Sequence, residues 1–335
     1  TRKQQQLQTL LPMAHDQQEH LEDWLRVELT YSSNAIEGNT LTRIETAEVI
    51  EKGVGVIISG KSLQDQLEAI NHAKAITFIQ DLAKKRGSHQ FITEQEILSI
   101  QKMLLTGIHD DWAGVYRQIE IFVRGSNTDF PFPQDVPQLM KRFVAWLQEQ
   151  QGEHPVILTA DAHFKLASIH PFRDGNGRTA RLLMNMILLI HGYPMAIIRQ
   201  EQRKEYLTLF DRVRQTNDME PFYEFIAQAV DRSLSAYLNA AEGKPILQAF
   251  KGDANQEENT LLRVGEMTKK TGVSEHTLRF WTDEGLLQAA RTTGNYRLYN
   301  SSMISIIQEI QRLKKELRLT LPEIKERLQK FGTTT

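Results

Sequence analysis

The residues of this chain best suited to chemistry lie in one short segment, residues 170–181, which reads His-Pro-Phe-Arg-Asp-Gly-Asn-Gly-Arg-Thr-Ala-Arg. His170 has an ordinary pKa near neutrality, which makes it the candidate general base. Asp174 can give one carboxylate to Mg²⁺, whose remaining ligands would be phosphate oxygens and water. The segment therefore predicts a polyphosphate site with a base beside it.

The remaining polar and small residues of the segment fit a bound polyphosphate. Gly175 and Gly177 carry no side chain that would keep a phosphate from the backbone N–H groups. Asn176, between them, adds an amide donor. Arg178 and Arg181 are three residues apart, so both lie on the first turn of the helix that follows. Their guanidinium groups are permanently charged and suit bidentate binding of phosphate.

The flanking sequence predicts a helix–loop–helix that places this loop at a helix N-terminus. Apolar residues at helical spacing run from Val156 to Ile169, and Pro171 and the two glycines then break the helix. A second helix is expected from Thr179 to Ile190. Free backbone N–H groups and the helix dipole at its start favour an anion.

A metal hydrolase is the alternative interpretation of this segment. It would pair His170 with Asp174 on one helical turn and recruit His163 as a third ligand. Pro171 and Gly175 break the helix that such a pair needs, and no further cluster of metal-binding side chains follows. We therefore expect His163 to be a packed or partly exposed helix residue.

The segment resembles the signature of the Fic family, His-x-Phe-x-(Asp/Glu)-Gly-Asn-Gly-Arg-x-x-Arg, at every position. Fic enzymes mostly transfer AMP from ATP to a hydroxyl of a target protein. The resemblance implies ATP as substrate, with Mg²⁺, and a role for each motif residue. By it, His170 deprotonates the hydroxyl, Asp174 binds Mg²⁺, Phe172 anchors the loop, Gly175, Asn176 and Gly177 hold the α- and β-phosphates with Arg178 nearby, and Arg181 grips the γ-phosphate.

A second motif, Ser33-Asn-Ala-Ile-Glu37-Gly38, precedes the first by more than a hundred residues. Ser33 and Glu37 are four apart and share a helical face. The motif resembles the inhibitory helix of Fic proteins of the N-terminal class, in which the Glu pairs with the second motif arginine, here Arg181, and displaces the γ-phosphate. The alternative is a capped helix end with a solvated Glu. Relatives of this class can also remove AMP, so the reverse reaction stays open.

A short hairpin is predicted between the two motifs. Residues 119–124 alternate and are rich in β-branched residues, and Gly125-Ser126-Asn127 then predicts a turn. The resemblance implies a flap over the active site that holds the target as an added strand, through Ile119, Ile121 and Val123. The alternative is a hairpin that only covers the core.

The last part of the chain predicts a winged helix–turn–helix. Val264 to Arg279 has the sequence pattern of a helix–turn–helix. The turn is expected at Thr271-Gly272-Val273, and Ser274 is expected to cap the second helix. The segments Leu-Arg-Phe-Trp, Gly-Leu-Leu and Tyr-Arg-Leu-Tyr resemble the DNA-binding domain of the MerR family. By that analogy the residues facing DNA phosphates would be Arg279, Arg291, Arg297 and Tyr299. MerR regulators continue past this domain into a dimerisation helix. Protein docking is therefore the open alternative to DNA binding for this domain. A homo-oligomer also stays open.

Charge and composition agree with this division. Residues 261–332 hold 13 Lys and Arg against 8 Asp and Glu, a net +5, whereas the whole chain of 335 residues has a net charge of −2. The chain contains no cysteine, no apolar stretch of the ~20 residues that span a bilayer and no signal-peptide core. We expect a cytoplasmic protein with no membrane partner.

Together these features predict a mainly α protein: a Fic-fold helical bundle with a β-hairpin flap, plus a C-terminal winged helix–turn–helix domain. The expected order is an N-terminal helical region with the inhibitory helix (1–100), the catalytic core (101–240), a linker (241–260) and the winged domain (261–332). Within this order, helices are expected at residues 17–36, 60–85, 93–106, 137–151 and 203–238, with a capping box at Thr42.

The expected activity is protein adenylylation of a Ser, Thr or Tyr hydroxyl on a target protein or on the chain itself. The alternative from another class is a DNA-binding regulator in which the Fic body senses a nucleotide. A kinase-like use of ATP, as in the Doc branch, fits less well, because that branch lacks the second glycine and second arginine that this chain has at Gly177 and Arg181.

Overall fold

The computed structural model describes residues 2–86, 92–121, 129–150, 152–250, 261–291, 297–300, 303–315 and 318–330. The chain divides into two compact units, Thr1–Phe250 and Lys251–Thr335. Helices dominate both units, which confirms the mainly α class predicted from the sequence. None of the described helices combines the length and the apolar character needed to cross a membrane.

The first unit is a bundle of α-helices joined by short turns. Its helices are α1 Arg2–Leu10, α2 His15–Ile36, α3 Arg43–Lys52, α4 Leu63–Lys85, α5 Glu94–Leu105, α6 Val136–Glu149, α7 Pro155–Ile169, α8 Asn176–Ile190, α9 Arg203–Thr216 and α10 Glu220–Ala241. Single 3-10 turns lie at Gly53–Gly55, Asp110–Trp112, Pro133–Asp135, Gln200–Gln202 and Ile246–Phe250.

Local capping signals fix most helix starts where the sequence predicted them. Thr42 forms the predicted capping box at the start of α3, with its side chain accepting from the N–H of Glu45 and the Glu45 side chain accepting in return. Other predicted boundaries were wrong, among them the start of α4, which is Leu63 and not residue 60. Helix α8 begins at Asn176 rather than Thr179, because Gly175 takes a left-handed conformation and acts as its N-cap. The single helix predicted over residues 203–238 is two helices, because Asn217 is left-handed and ends α9.

Helix α8 is the central element of the first unit. Twelve of its residues are buried, and it packs mainly against α7, α4 and α5. Leu182, Leu183 and Met186 contribute to one apolar cluster, and Met184 and Leu188 contribute to a second. Because α8 is held by apolar contacts on both sides, the loop that feeds its N-terminus rests on a rigid support.

Two segments differ from the expected organisation or fall partly outside the described residues. Residues 119–121 form no strand, and Val123 with the rest of the predicted hairpin lies outside the described residues. The end of the first unit extends into the predicted linker, where Ile246–Phe250 forms a 3-10 turn. Phe250 is buried there, with its ring centroid 5.1 Å from that of Trp24.

The second unit has helices on a small antiparallel sheet. Its elements are β1 Leu261–Arg263, α11 Val264–Thr271, α12 Glu275–Asp283, β2 Ala290–Arg291, β3 Arg297–Asn300, α13 Met303–Lys315 and α14 Leu321–Lys330. The strand order is β1-β3-β2. The predicted turn is confirmed, since Gly272 is left-handed and ends α11, and the Ser274 hydroxyl accepts from the N–H of Thr277 at the start of α12. Strand β1 was not predicted.

Candidate active site

A cavity of about 510 Å³ brings the two sequence motifs together. Its walls come from the end of α2, the loop before α8, the first turns of α8, the α9 helix and the residues on either side of the predicted hairpin. The lining residues include Glu37, Ile119, Ile121, Phe130, His170, Asp174, Gly175, Asn176, Gly177, Arg178, Arg181, Arg203, Tyr206, Leu207 and Arg214. All of the predicted catalytic, nucleotide and metal residues therefore face one space, with Glu37 from the second motif.

The first turn of α8 forms the floor of this cavity. Gly175 has φ +79°, a conformation that side chains other than glycine rarely adopt, and its carbonyl accepts the first bond of the helix from the N–H of Thr179 at 2.8 Å. The N–H groups that follow have no acceptor inside the helix. The floor thus presents backbone donors and the positive end of the helix dipole, as an anion site requires.

Arg181 makes three hydrogen bonds to the second motif, which contains Ser33 and Glu37. Its Nη2 donates to Oε1 of Glu37 at 2.7 Å and to the carbonyl of Ser33 at 2.9 Å, and its Nε donates to the Ser33 hydroxyl at 3.0 Å. Arg181 is only 4% exposed. Burial opposes ionisation of Glu37, but the charge and hydrogen bond of Arg181 outweigh it and lower the pKa of the carboxyl. Glu37 is therefore a carboxylate held against the second motif arginine.

The Glu37 carboxylate also lies directly on Gly177. A Cβ added to Gly177 would stand 2.2 Å from Glu37 Oε1, closer than any real contact. Glycine at this position is thus what lets the carboxylate approach the first turn of α8. The negative charge of Glu37 occupies space over the helix N-terminus, where an anion would otherwise bind.

The end of α2 aims Glu37 into the cavity. The N–H of Gly38 donates to the carbonyl of Ala35 at 3.1 Å, and Gly38 turns the chain away with φ +103°. On the cavity side, Nε of Arg203 donates to the carbonyl of Ile36 at 2.7 Å. The last turn of α2 is therefore held by two arginines, the buried Arg181 of α8 and Arg203 of α9.

His170 is placed as a proton acceptor. It ends α7 in a left-handed conformation with φ 50° and ψ 57°, and its ring lies against Phe130 with 4.3 Å between centroids. Its Nδ1 lies 3.1 Å from the carbonyl of Ala167. A carbonyl can only accept, so Nδ1 carries the hydrogen and Nε2 keeps a free lone pair. Burial lowers the pKa of His170 to about 4, so the ring is neutral at neutral pH.

Asp174 and Arg178 form the second polar group of the loop. Asp174 accepts from the N–H of Gly175 at 2.6 Å, and its Oδ2 lies 3.4 Å from Nη2 of Arg178. Nη1 of Arg178 lies 3.2 Å from Oε1 of Glu68 on α4. The Asp174 side chain is 40% exposed and can give one oxygen to a cation. No group of three or more potential metal-binding side chains exists among the described residues, so other ligands would have to come from phosphate and water.

The structure shows a second, local role for the Asn176 side chain. Its Oδ1 accepts from the N–H of Phe172 at 2.9 Å, and its Nδ2 donates to the carbonyl of Phe172 at 2.8 Å. The amide therefore closes the loop on itself, and this holds the backbone N–H of Asn176 at the start of α8. The Phe172 ring is fully buried in the core and anchors the loop, as expected.

His163 lies beneath Arg181 in the core. It is fully buried, and its Nε2 is 2.9 Å from the hydroxyl of Tyr206, whose ring stacks on it with 5.7 Å between centroids. Tyr206 in turn interacts electrostatically with Arg181. His163 is thus a packed helix residue, in agreement with the sequence analysis.

Four site residues were missed by sequence reasoning: Glu68, Arg117, Arg203 and Tyr206. They lie on α4, before the predicted hairpin and on α9, and each reaches the motifs across a long stretch of chain. A single charged or aromatic residue in a helix gives no local signal of such a contact. Only the packing of the helices shows it.

The predicted DNA contacts of the second unit are corrected in part. Tyr299 is fully buried, and its hydroxyl lies 3.1 Å from that of Thr282, so it cannot face a phosphate. Arg297 is held within the unit by the carbonyl of Arg279 at 3.0 Å and by Asp283 at 2.5 Å. Arg279 itself is exposed and pairs with Glu275 on its own helix. Arg291 lies in β2, and its side chain is outside what the structure describes.

Comparison with family models supports both resemblances. A model described as "Fic/DOC family" matches residues 91–188. A model described as "MerR HTH family regulatory protein" matches residues 262–330. The matched ranges contain the 170–181 motif and the described elements of the winged domain.

Curated relatives are named protein adenylyltransferase Fic. The chain is 37% identical over 220 residues to that of Nematostella vectensis, covering 64% of this chain and 49% of the relative. It is 34% identical over 245 residues to that of Aedes aegypti, covering 68% of this chain and 48% of the relative. The chain thus spans about half the length of the curated relatives it matches.

Solved structures of Fic proteins match about 70% of the chain. A Fic domain containing signaling protein from Bacteroides thetaiotaomicron has a TM-score of 0.66 and 29% identity, covering 73% of this chain and 98% of that one. Fic-1 from C. elegans has a TM-score of 0.61 and 29% identity, covering 71% of each chain. The Fic fold predicted from the sequence is confirmed. The chain therefore contains a Fic domain at residues 91–188 and a helix–turn–helix domain of the MerR type at residues 262–330.

Proposed function

We propose that the chain is a protein adenylyltransferase that moves AMP from ATP to a Ser, Thr or Tyr hydroxyl of a target protein and is held at low activity by Glu37. One observation carries the proposal. The Glu37 carboxylate lies 2.7 Å from Nη2 of Arg181, in the same cavity as His170 and the N-terminus of α8. Curated relatives at 34–38% identity carry the name protein adenylyltransferase Fic.

The cavity suits ATP in size and charge. Its volume of about 510 Å³ lies within the range of ordinary ligand pockets. The first turn of α8 offers backbone N–H groups to phosphate, and Arg178 and Arg181 offer guanidinium groups from the same turn. We assign the α- and β-phosphates to residues 175–178 and the γ-phosphate to Arg181.

Asp174 would hold the magnesium ion that accompanies ATP. Its carboxylate lines the cavity and is 40% exposed, which fits a cation whose other ligands are phosphate oxygens and water. When bound, Mg²⁺ neutralises part of the phosphate charge. The Asp174 contact with Arg178 keeps the carboxylate facing the same turn of α8 that would bind the phosphates.

In the proposed reaction, His170 takes the proton of the target hydroxyl. The target hydroxyl oxygen attacks the α-phosphorus and forms a new phosphoester bond, while the bond between the α-phosphorus and the bridging oxygen to the β-phosphorus breaks. Pyrophosphate leaves with the electrons of that bond. Nε2 of His170 takes the hydroxyl proton, since Nδ1 is engaged with Ala167. The rest of catalysis is positioning and stabilisation of charge.

Target docking would use the segment that begins at Ile119. Ile119 and Ile121 line the cavity, and Ile119 is exposed. An extended target segment could pair with this part of the chain, as in strand addition. Removal of AMP through Glu37 is compatible with the same geometry, because Glu37 lies in the same cavity as His170.

The transfer chemistry is tested with ATP labelled at either the α- or the γ-phosphate. In a Glu37→Gly protein, the α-label is expected in protein and the γ-label is not. His170→Ala in that background should abolish transfer while ATP still binds. His191→Ala is a matched control, because His191 also follows the end of a helix but is exposed and outside the cavity. Transfer of the γ-label instead would indicate a kinase-like reaction and contradict the proposal.

A second candidate function rests on the second unit. Its match to MerR regulators and its net charge of +5 over residues 261–332 favour contact with DNA. In that case the Fic body would serve as a nucleotide sensor that controls DNA binding. Transfer of AMP to any protein by the wild-type chain separates this candidate from the first.

A further inference from the structure

Arg117 is a buried cation that the motif chemistry does not use. It is 4% exposed and lies just before the segment predicted to dock the target. Burial lowers its pKa, and among the described groups only Glu120 opposes that effect. No ion pair joins Arg117 to a carboxylate in the described part of the chain. Burying a guanidinium group without a paired anion is costly, so its contacts must offset that cost.

Those contacts are all with backbone carbonyls around the catalytic loop. Nε donates to the carbonyl of His170 at 2.8 Å. Nη1 donates to the carbonyl of Ile119 at 3.2 Å, and Nη2 donates to that of Pro131 at 2.5 Å. The N–H of Arg117 itself donates to the carbonyl of Pro171 at 3.0 Å. Arg117 thus links the backbone of His170 to Ile119 and Pro131, the two ends of the 119–131 segment.

His170 needs such support because its backbone is strained. It has φ 50°, a left-handed conformation that is uncommon for residues other than glycine and persists where neighbouring groups hold it. Inside α7, the N–H of His170 and the Ala167 carbonyl fix one side of the residue. Arg117 fixes the other side through the carbonyls of His170 and Pro171.

We propose that Arg117 is a positioning residue that fixes the direction of His170 Nε2 and aligns it with the residues on either side of the target-docking segment. The inference rests on the proposed function, because it assigns His170 the role of base. A displacement of the base of about 1 Å can lower a transfer rate by up to two orders of magnitude. Arg117 would therefore affect the transfer step and leave the nucleotide floor of α8 unchanged.

The geometry also explains why an arginine stands here. Its planar fork reaches three carbonyls that lie in different directions. A lysine keeps the charge but has one ammonium group, which cannot reach all three positions at once. Arg117→Lys should therefore retain part of the function and Arg117→Met very little.

The test uses the full chain with Glu37→Gly, so that the proposed inhibition by Glu37 is absent. Arg117→Lys and Arg117→Met are compared with Arg142→Met, which removes an exposed arginine of α6. The rate of α-label transfer at saturating ATP is measured beside the equilibrium affinity for ATP. We expect Arg117→Met to lower the rate about tenfold or more, Arg117→Lys to fall between it and the parent, and ATP affinity to change less than about threefold. Arg142→Met should match the parent.

The outcomes are distinct. If the Glu37→Gly parent transfers no label, the proposed function is wrong and the inference falls with it. If the parent labels and the Arg117 variants label equally well, or lose ATP affinity in step with rate, the inference alone is wrong. Thermal unfolding is followed for each variant; should Arg117→Met fail to fold, the rate and affinity of Arg117→Lys decide the question.

Discussion

At the scale of single residues, Arg181 is where the resting state and the proposed active state compete. In the structure its guanidinium donates to the Ser33 hydroxyl, the Ser33 carbonyl and the Glu37 carboxylate. A γ-phosphate would need the same donors and the same space over Gly177. Since Glu37 and a γ-phosphate carry the same sign of charge, both cannot be accommodated there together.

The effects of changing Glu37 and Arg181 should therefore depend on each other. Glu37→Gly should raise labelling, and Arg181→Ala should weaken ATP binding and lower it. With Arg181→Ala already present, removal of Glu37 should not raise labelling further, because Glu37 then has no arginine to keep from the γ-phosphate. Labelling of the wild type, both single variants and the double variant measures this coupling. Independent, additive effects would show that the two residues do not act as a pair.

The pH dependence of transfer should reflect the lowered pKa of His170. The neutral imidazole is the active form, so activity is lost as pH falls through the pKa of the folded protein. Burial sets that pKa to about 4, whereas the ordinary value is 6.5. In the Glu37→Gly protein, kcat/KM should therefore stay level from neutral pH down to about pH 5. A half-maximal rate near the ordinary histidine pKa would argue against a buried base, and His191→Ala should leave the profile unchanged.

At the scale of helices, the position of Glu37 depends on the residues that hold the last turn of α2. Arg181 of α8 binds the carbonyl of Ser33, and Arg203 of α9 binds the carbonyl of Ile36, the residue before Glu37. Helix ends leave carbonyls without partners, and cations there are favourable. The position of Glu37 is thus fixed by two helices of the core as well as by its own side chain.

Arg203→Ala should loosen the last turn of α2 and relieve part of the proposed inhibition by Glu37. We expect labelling to rise about two- to fivefold in the otherwise wild-type chain. This increase corresponds to less free energy than one full charge-assisted hydrogen bond contributes. In the Glu37→Gly background the same change should have no effect. Arg212→Ala, on the exposed face of the same helix, is the control. A loss of labelling with Arg203→Ala in the Glu37→Gly background would mean that Arg203 binds the nucleotide or target instead.

The sequence located the residues that line this cavity better than the residues that hold them in place. The 170–181 loop, the Ser33 and Glu37 face and the capping box at Thr42 are local patterns, and the structure places them where expected. The α8 start and the break at Asn217 were missed because each depends on one residue in a left-handed conformation. Glu68, Arg117 and Arg203 act through contacts distant in sequence, which no local pattern encodes.

At the scale of the whole molecule, the chain combines two compact units with different charge. Every residue assigned to ATP, Mg²⁺ or proton transfer lies in the first unit. The winged domain is basic, but Tyr299 is buried and Arg297 is held internally, so fewer side chains are available for phosphate than the sequence suggested. Its role is expected to be the choice of location or partner.

Deletion of residues 261–335 should leave transfer intact in the Glu37→Gly background. Loss of labelling would mean that the winged domain supports the catalytic unit or carries the modified hydroxyl. DNA binding by the full chain, if present, should weaken steeply between low and moderate salt, because its contacts would be mostly to phosphate. A mobility-shift assay with the full and the truncated chain measures this. Failure to bind even at low salt would favour a protein-docking role.

The most direct test of the central claim compares three full-length proteins for the rate of α-label transfer from ATP: the wild type, Glu37→Gly and Glu242→Gly. Glu242 is a matched control, since it also follows the end of a long helix and precedes a glycine, but it pairs with Lys244 outside the cavity. A charge-assisted pair such as Glu37 with Arg181 contributes about 1.5–3 kcal/mol, which corresponds to a rate increase of about tenfold or more on release. The account predicts that increase for Glu37→Gly and no change for Glu242→Gly. Equal labelling of all three proteins would contradict it.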